Sequence, residues 1–164
     1  GLLGMRPDDE RIPDSFEIAR KMGLSYSFGI ANLTSAHPNS VVLEVKGKSG
    51  RTLEVQACSL GGGRIMINRL DGLDVNCSCE IPTLIVHNLD QPGHVAEVTS
   101  MLAHKSVNIA NMSLYRDKRG GSAVMVVEMD QPLPKESLEW LEHLEGIVKV
   151  TYINVTEGEE DDVL

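Results

Sequence analysis

A chain of 164 residues with 41% apolar side chains can bury one ordinary core or two small ones. Its net charge of −9 argues against nucleic acid and anionic membranes as partners, since both want clustered Lys and Arg. No apolar run is long enough to span a membrane, no signal peptide is visible, and three cysteines without framework spacing suit a reducing cytoplasm better than a secreted disulfide fold.

The first ten residues are glycine-containing, then acidic. Leu2-Leu3-Gly4-Met5 reads as the end of an apolar element, and Gly1 in place of Met leads to the expectation that the chain is N-terminally truncated or processed. Asp14-Ser15-Phe16-Glu17 has the capping-box form, with Asp14 as N-cap and Glu17 reaching back. A short helix to Met22 should follow, ended by Gly23. Tyr26, Phe28 and Ile30 alternate, which predicts a strand over 25–33. After a loop around Pro38, Val41–Val45 and Leu53–Ala57 read as a hairpin joined by Lys46-Gly47-Lys48-Ser49-Gly50. Gly61-Gly62-Gly63 interrupts, and Arg64–Leu70 is a further strand with Ile65 and Ile67 on one face. Asp71-Gly72 is a turn dipeptide. Leu73–Cys79 is expected to be a linker, with a domain boundary near Ser78.

From Glu80 the pattern is strand, helix, strand, strand, helix, strand. Ile81-Pro82-Thr83-Leu84-Ile85-Val86 is apolar without alternation, as in a strand buried on both faces. Gln91-Pro92-Gly93 breaks it. Val95, Val98 and Leu102 predict an amphipathic helix over 93–105. In 108–115, Ala110, Met112 and Leu114 alternate with Asn111, Ser113 and Tyr115. Arg116–Gly121 is a charged turn, and Ala123–Met129 is another strand. Leu138, Leu141 and Leu144 predict a helix from Lys135 to Leu144 that Gly146 stops as a C′ residue. Val148, Val150 and Tyr152 mark a last strand. Glu157–Asp162 reads as a solvated acidic tail. Two βαβ halves in about 75 residues make the split-βαβ, ferredoxin-like pattern.

Several places offer chemistry. Pro38 stiffens the loop that carries His37 and Asn39, and a stiff loop holding an imidazole and an amide can take a carboxylate or hydroxyl at little ordering cost. The plainer alternative is a turn in which Asn39 bonds its own backbone. Gly61, Gly62 and Gly63 leave backbone amides able to cradle an anion, with Arg64 beside them; the alternative is a bulge or kink between two strands. Cys77 and Cys79 point the same way in extended chain and can meet one metal, with Cys58 as a third ligand, although small buried hydrophobes explain them as well. In the second half, Gly93 frees amides at a helix N-terminus, where the dipole favours a carboxylate. Asn108 can reach an amino or carboxylate group, and Asp90 can take an ammonium group. The alternative there is a fold kept only for dimerisation. The five histidines form no recognisable catalytic arrangement.

The second half resembles the ACT domain, an amino-acid-binding regulatory module, through Val86-His87-Asn88-Leu89-Asp90-Gln91-Pro92-Gly93 and Val107-Asn108-Ile109-Ala110. ACT modules often carry asparagine where Asp90 stands. The chain to about Val155 resembles the β subunit, or β region, of bacterial iron–sulfur L-serine dehydratases. The signatures are Leu2-Leu3-Gly4-Met5, Asp8-Asp9-Glu10-Arg11-Ile12-Pro13, His37-Pro38-Asn39, Ser59-Leu60-Gly61-Gly62-Gly63 and Val86-His87-Asn88.

The resemblance implies an α+β chain with three parts. An allosteric-substrate-binding-like (ASB-like) α/β domain covers about 1–78, truncated at its N-terminus. A βαββαβ ACT-like domain covers 79–155, and an acidic tail covers 156–164. It implies a lyase subunit for the conversion of L-serine to pyruvate and ammonia, with a [4Fe–4S] cluster held by the α part and not by this chain. The family's upstream Ser-Ser-His-Thr segment is absent, so the chain alone is expected to be inactive and to contribute no catalytic or metal-ligating residue. The implied serine site is His37, Asn39 and Gly61–Gly63, and the implied second site is Asp90, Gly93 and Asn108. The implied partners are L-serine or a related amino acid, the α subunit, and a second copy through the ACT-like domain, in the cytoplasm. The competing expectations are the ASB–ACT tail of a phosphoglycerate dehydrogenase, or a non-catalytic amino-acid-binding and dimerisation module.

Overall fold

The computed structural model describes residues 2–6, 8–34 and 36–154; the expected acidic tail lies outside them. The chain divides into two compact units, Gly1–Thr34 and Ser35–Leu164.

In the first unit, Pro13 sits in a 3-10 turn, Ile12–Asp14, which runs straight into helix α1, Ser15–Lys21. The expected capping box does not form: Asp14 makes no side-chain cap bond, because the chain is already turning before it. The C-terminus does follow expectation. Gly23 has φ +76, its amide donates to the Arg20 carbonyl, and the Leu24 amide donates to the Ala19 carbonyl. That is the paired bonding of a Schellman end, which needs a left-handed residue. The strand expected over 25–33 is absent. Its alternation is real, since Tyr26 and Phe28 both contact the Phe16 ring at 5.3 and 6.0 Å between centroids. Among the described residues this unit contains no other strand to bond its backbone, so the segment stays irregular.

The second unit begins with an antiparallel meander of β1 (Ser40–Lys46), β2 (Thr52–Gly61), β3 (Arg64–Leu70) and β4 (Leu73–Cys77). The β2–β3 turn is built on Gly62 and Gly63, at φ +63 and +78, and the β3–β4 turn on Asp71 and Gly72, at φ +46 and +84. Two successive positive φ values are what a tight hairpin of the right twist demands. The expected linker 73–79 is therefore mostly strand. The two-residue turn folds it back on β3, with Val75 and Cys77 pointing inward.

The rest is β5 (Thr83–Leu89), α2 (His94–His104), β6 (Ile109–Arg116), β7 (Ser122–Met129), α3 (Lys135–Glu142) and β8 (Ile147–Ile153). Its sheet order is β6-β7-β5-β8, all antiparallel, which is the ferredoxin-like arrangement. On one face Leu84, Val86, Met125 and Val127 meet Val98, Leu102 and Leu141 of the helices. On the other face Ile85, Val124 and Val126 meet Ile67, Leu70, Val75, Cys77 and Cys79. The central strands β5 and β7 are thus covered twice, by helices and by the meander, and the expected boundary at Ser78 falls between two sheets that share a core.

A polar clamp joins the same two sheets. Asp71, in the β3–β4 turn, accepts from the Lys149 ammonium of β8, and the His87 Nε2 of β5 lies 3.5 Å away. Arg51, in the β1–β2 turn, donates to the Val150 carbonyl. Burial alone would raise Asp71, but bonds from Lys149 and the Glu54 amide outweigh it and hold the carboxyl below its ordinary value. Burial pushes His87 down, with Asp71 pulling against it.

Candidate functional site

The loop after β5 collects groups from three connections. Asp90 accepts from Arg116 Nη1 at 3.0 Å and from the Gly120 amide at 2.9 Å, and its own amide donates to the Gly121 carbonyl. The Gly120 amide first, and then Arg116, hold the Asp90 carboxyl below the usual range. Asp90 therefore ties the β5–α2 loop to the β6–β7 turn, and Arg116 answers its negative charge. Gly93 caps α2 with φ +112, a conformation open to glycine, and leaves the first amides of the helix pointing into the loop.

Two residues that the sequence reading left without a role complete this end of the sheet. Asn88 is buried; its Nδ2 donates to the Leu89 carbonyl at 2.6 Å, while its Oδ1 has no partner. His94, the first residue of α2, is also buried. Its Nδ1 lies 3.2 Å from Glu97 Oε2, and its Nε2 has no partner. The ring lies against Gly146, where an added Cβ would stand 2.6 Å from Nε2. This close approach is the reason for a glycine there. The expected C′ role does not hold, since α3 already ends at Glu142, with His143 as its C-cap. Buried polar atoms without partners are rare and mark places where something else bonds. The free amides at the start of α2 suit a carboxylate, and the unpartnered Asn88 Oδ1 and His94 Nε2 are buried on the two elements that flank the loop. The signal for Asn88 and His94 lay in the sequence, as polar residues flanking the Asp90–Gly93 loop; the burial that distinguishes them did not.

Asn108 does not join this group within one chain. It donates from Nδ2 to Asp130 Oδ2 at 2.5 Å, and its amide donates to Gln131 Oε1. Strands β5 and β6 run parallel on either side of β7. The start of β6 therefore lies at the opposite end of the sheet from the end of β5, roughly 20 Å away at about 3.3 Å per residue.

The first-sheet site holds together better. Ser40 pairs with Cys58, and the Ser59 amide donates to the Asn39 carbonyl at 3.0 Å. His37 and Asn39 thus lie at the same end of the meander as the Gly61–Gly63 turn. The His37 ring is held locally: its Nδ1 accepts from the Asn39 amide at 3.2 Å, which leaves Nε2 outward. Gly62 and Gly63 form the hairpin turn between β2 and β3, and Gly61, the last residue of β2, follows a shift in register after Ser59.

Among the described residues no group of three or more His, Cys, Asp or Glu is placed to hold a metal ion. Cys77 and Cys79 do meet, at 3.2 Å between sulfurs, but Cys58 does not join them, and three cysteines do not fit a four-thiolate cluster. No helix among the described residues is long and apolar enough to cross a membrane.

The ACT domain family matches residues 82–145. The probable L-serine dehydratase, beta chain, of Bacillus subtilis (strain 168) is 33% identical over 153 residues, 93% of this chain and 69% of that one. The chain belongs to the L-serine dehydratase beta-chain family. The L-serine dehydratase, beta chain, of Peptoniphilus asaccharolyticus is 31% identical over 94% of this chain and 70% of its own length. A D-3-phosphoglycerate dehydrogenase of Methanocaldococcus jannaschii is 31% identical, but over 55% of this chain and only 17% of the relative. The two beta chains match over more than nine tenths of this chain, whereas this dehydrogenase matches over little more than half of it.

Proposed function

We propose that this chain is the β part of an L-serine dehydratase, a lyase that converts L-serine to pyruvate and ammonia, and that it supplies amino-acid binding and dimerisation. The observation that carries this reading is the match to two beta chains over more than nine tenths of the sequence. The partner is an α subunit bearing a [4Fe–4S] cluster, which would supply the Lewis acid for loss of the serine hydroxyl. On this reading the cluster belongs to the α subunit, and the chain is inactive alone and works with that partner in the cytoplasm.

The amino acid binds at the β5–α2 loop, with the site shared between two copies. Strand β6 is an edge of its sheet, and an edge strand is free to pair with its own mate. Antiparallel pairing of β6 about a two-fold axis sets the start of one β6 against the end of the other. Asn108 of one copy would then stand beside the Arg116–Asp90 pair of its mate. Asn108, which lies apart from Asp90 and Gly93 in one chain, meets them in the dimer. His37, Asn39 and Gly61–Gly63 form the second serine site at the end of the meander.

The test pairs the full-length protein with its α partner and measures pyruvate formation, and it separately follows thermal unfolding of the chain with L-serine, with D-serine as control. A ligand that binds only the folded state raises the midpoint. Pyruvate formation only in the pair, together with an L-specific rise lost in Asn108→Ala, supports the reading. Inactivity of the pair with a cluster-loaded α subunit overturns the dehydratase assignment. A rise that survives Asn108→Ala but is lost in His37→Ala moves the regulatory site to the meander.

A further inference from the structure

The Cys77–Ser78–Cys79 segment is the connection from the last strand of the meander toward β5, and so the covalent link between the two sheets. We propose that it is a redox site, in which a hydroperoxide oxidises Cys77 and Cys79 to an intrachain disulfide. Three observations carry this. The sulfurs lie 3.2 Å apart, about 1.1 Å farther than a disulfide bond. Cys79 has φ +55, a left-handed conformation uncommon for any residue but glycine. That kink turns its side chain back toward Cys77, where an extended strand would hold the two residues side by side. Both thiols are packed in the core between the sheets, at 1% and 7% exposure, so the sulfurs are held at this separation and a peroxide reaches them through local opening of the fold.

The pair is chemically asymmetric. The two thiols share one contact; the Cys79 side chain and amide hold Cys77 below its ordinary value, whereas the neighbouring Cys77 and burial push Cys79 up. Glu128, which accepts from Ser78 Oγ at 3.3 Å, opposes thiolate formation at both. Cys77 is thus the nucleophile and Cys79 the resolving thiol. The Cys77 thiolate attacks one peroxide oxygen; the O–O bond breaks and the other oxygen leaves, protonated, as water or an alcohol. Cys77 is then a sulfenic acid. Cys79 attacks that sulfur, the S–S bond forms, the S–O bond breaks, and hydroxide leaves with the Cys79 proton as water. Two thiols give up two electrons, and one peroxide takes them. The ring closed over three residues is tight, and tight disulfides are easily reduced, so the product is reversible.

The test treats the whole reduced chain with hydrogen peroxide and follows intact mass and free thiols. The expected product is lighter by about 2 Da, has lost two of its three thiols, and returns to the starting mass with dithiothreitol. Cys58→Ser keeps this product. Cys77→Ala and Cys79→Ala abolish it and gain oxygen instead. Oxygen addition without the 2 Da loss in the wild-type chain, or a disulfide that includes Cys58, would each overturn the assignment.

Discussion

Replacing Gly146 by alanine should be one of the costlier single-methyl additions in the second unit. Gly146 has φ +80, and a Cβ there would lie 2.6 Å from His94 Nε2 and 2.7 Å from Cε1. The left-handed conformation costs an alanine about 1–2 kcal/mol, offset by about 0.4–1 kcal/mol from the stiffer unfolded chain. The imidazole must also move by several tenths of an ångström. It is buried and bonded to Glu97, so overpacking adds about 1–3 kcal/mol. The sum is about 2–4 kcal/mol. Gly120 is the control: its φ is +73, yet a Cβ there meets nothing within 4 Å. Gly120→Ala should carry the conformational cost alone, about 1 kcal/mol. Urea unfolding of the two variants measures the difference. Adding His94→Ala should recover most of the extra cost of Gly146→Ala, as a coupling of about 1–2 kcal/mol. Equal costs for the two glycines, or no coupling with His94→Ala, would refute the close-approach account.

His87 is held below its ordinary value, so the folded state keeps it neutral where the unfolded chain takes a proton. Its contribution is full above about pH 6.5 and is lost as pH falls below that. Urea midpoints at about pH 5 and 7.5 should differ less in His87→Gln than in the wild type, with Asp71, Lys149 and Arg51 still facing the site. Asp71→Asn leaves the Lys149 ammonium, 16% exposed, without its carboxylate. It should cost about 1–2 kcal/mol at neutral pH, and less as pH falls through the depressed Asp71 value, where the wild-type carboxylate is itself protonated. Leu102→Ala removes a fully buried side chain between α2 and the sheet and should cost about 2–5 kcal/mol by urea unfolding. Arg116→Gln breaks an exposed pair with Asp90; it should change stability by under about 1 kcal/mol while weakening the L-serine-dependent rise in melting midpoint.

The periodicities in the sequence determined the second sheet. The unalternating run 81–86, the helical stripe of Val98 and Leu102 and the alternation of Val148, Val150 and Tyr152 each identify an element, because each buries its apolar atoms in a repeat that only one local geometry matches. The glycine-bearing turns Gly62-Gly63 and Asp71-Gly72 were likewise legible, since only positive φ closes such hairpins. Tertiary structure decided what local pattern could not. Residues 25–33 alternate like a strand, but the described residues of their own unit hold no strand to bond them. Residues 73–77 look like a linker yet pair with β3, and so cover the outer face of β5 and β7. That cover explains the double burial of Ile85 and its neighbours, which in sequence said only that both faces were hidden, not by what. The same holds for the site. Asp90 and Gly93 were visible in the loop motif, but the unpartnered atoms of Asn88 and His94 depend on burial by other segments. The separation of Asn108 depends on β5 and β6 running parallel, a relation that exists only once the sheet has formed.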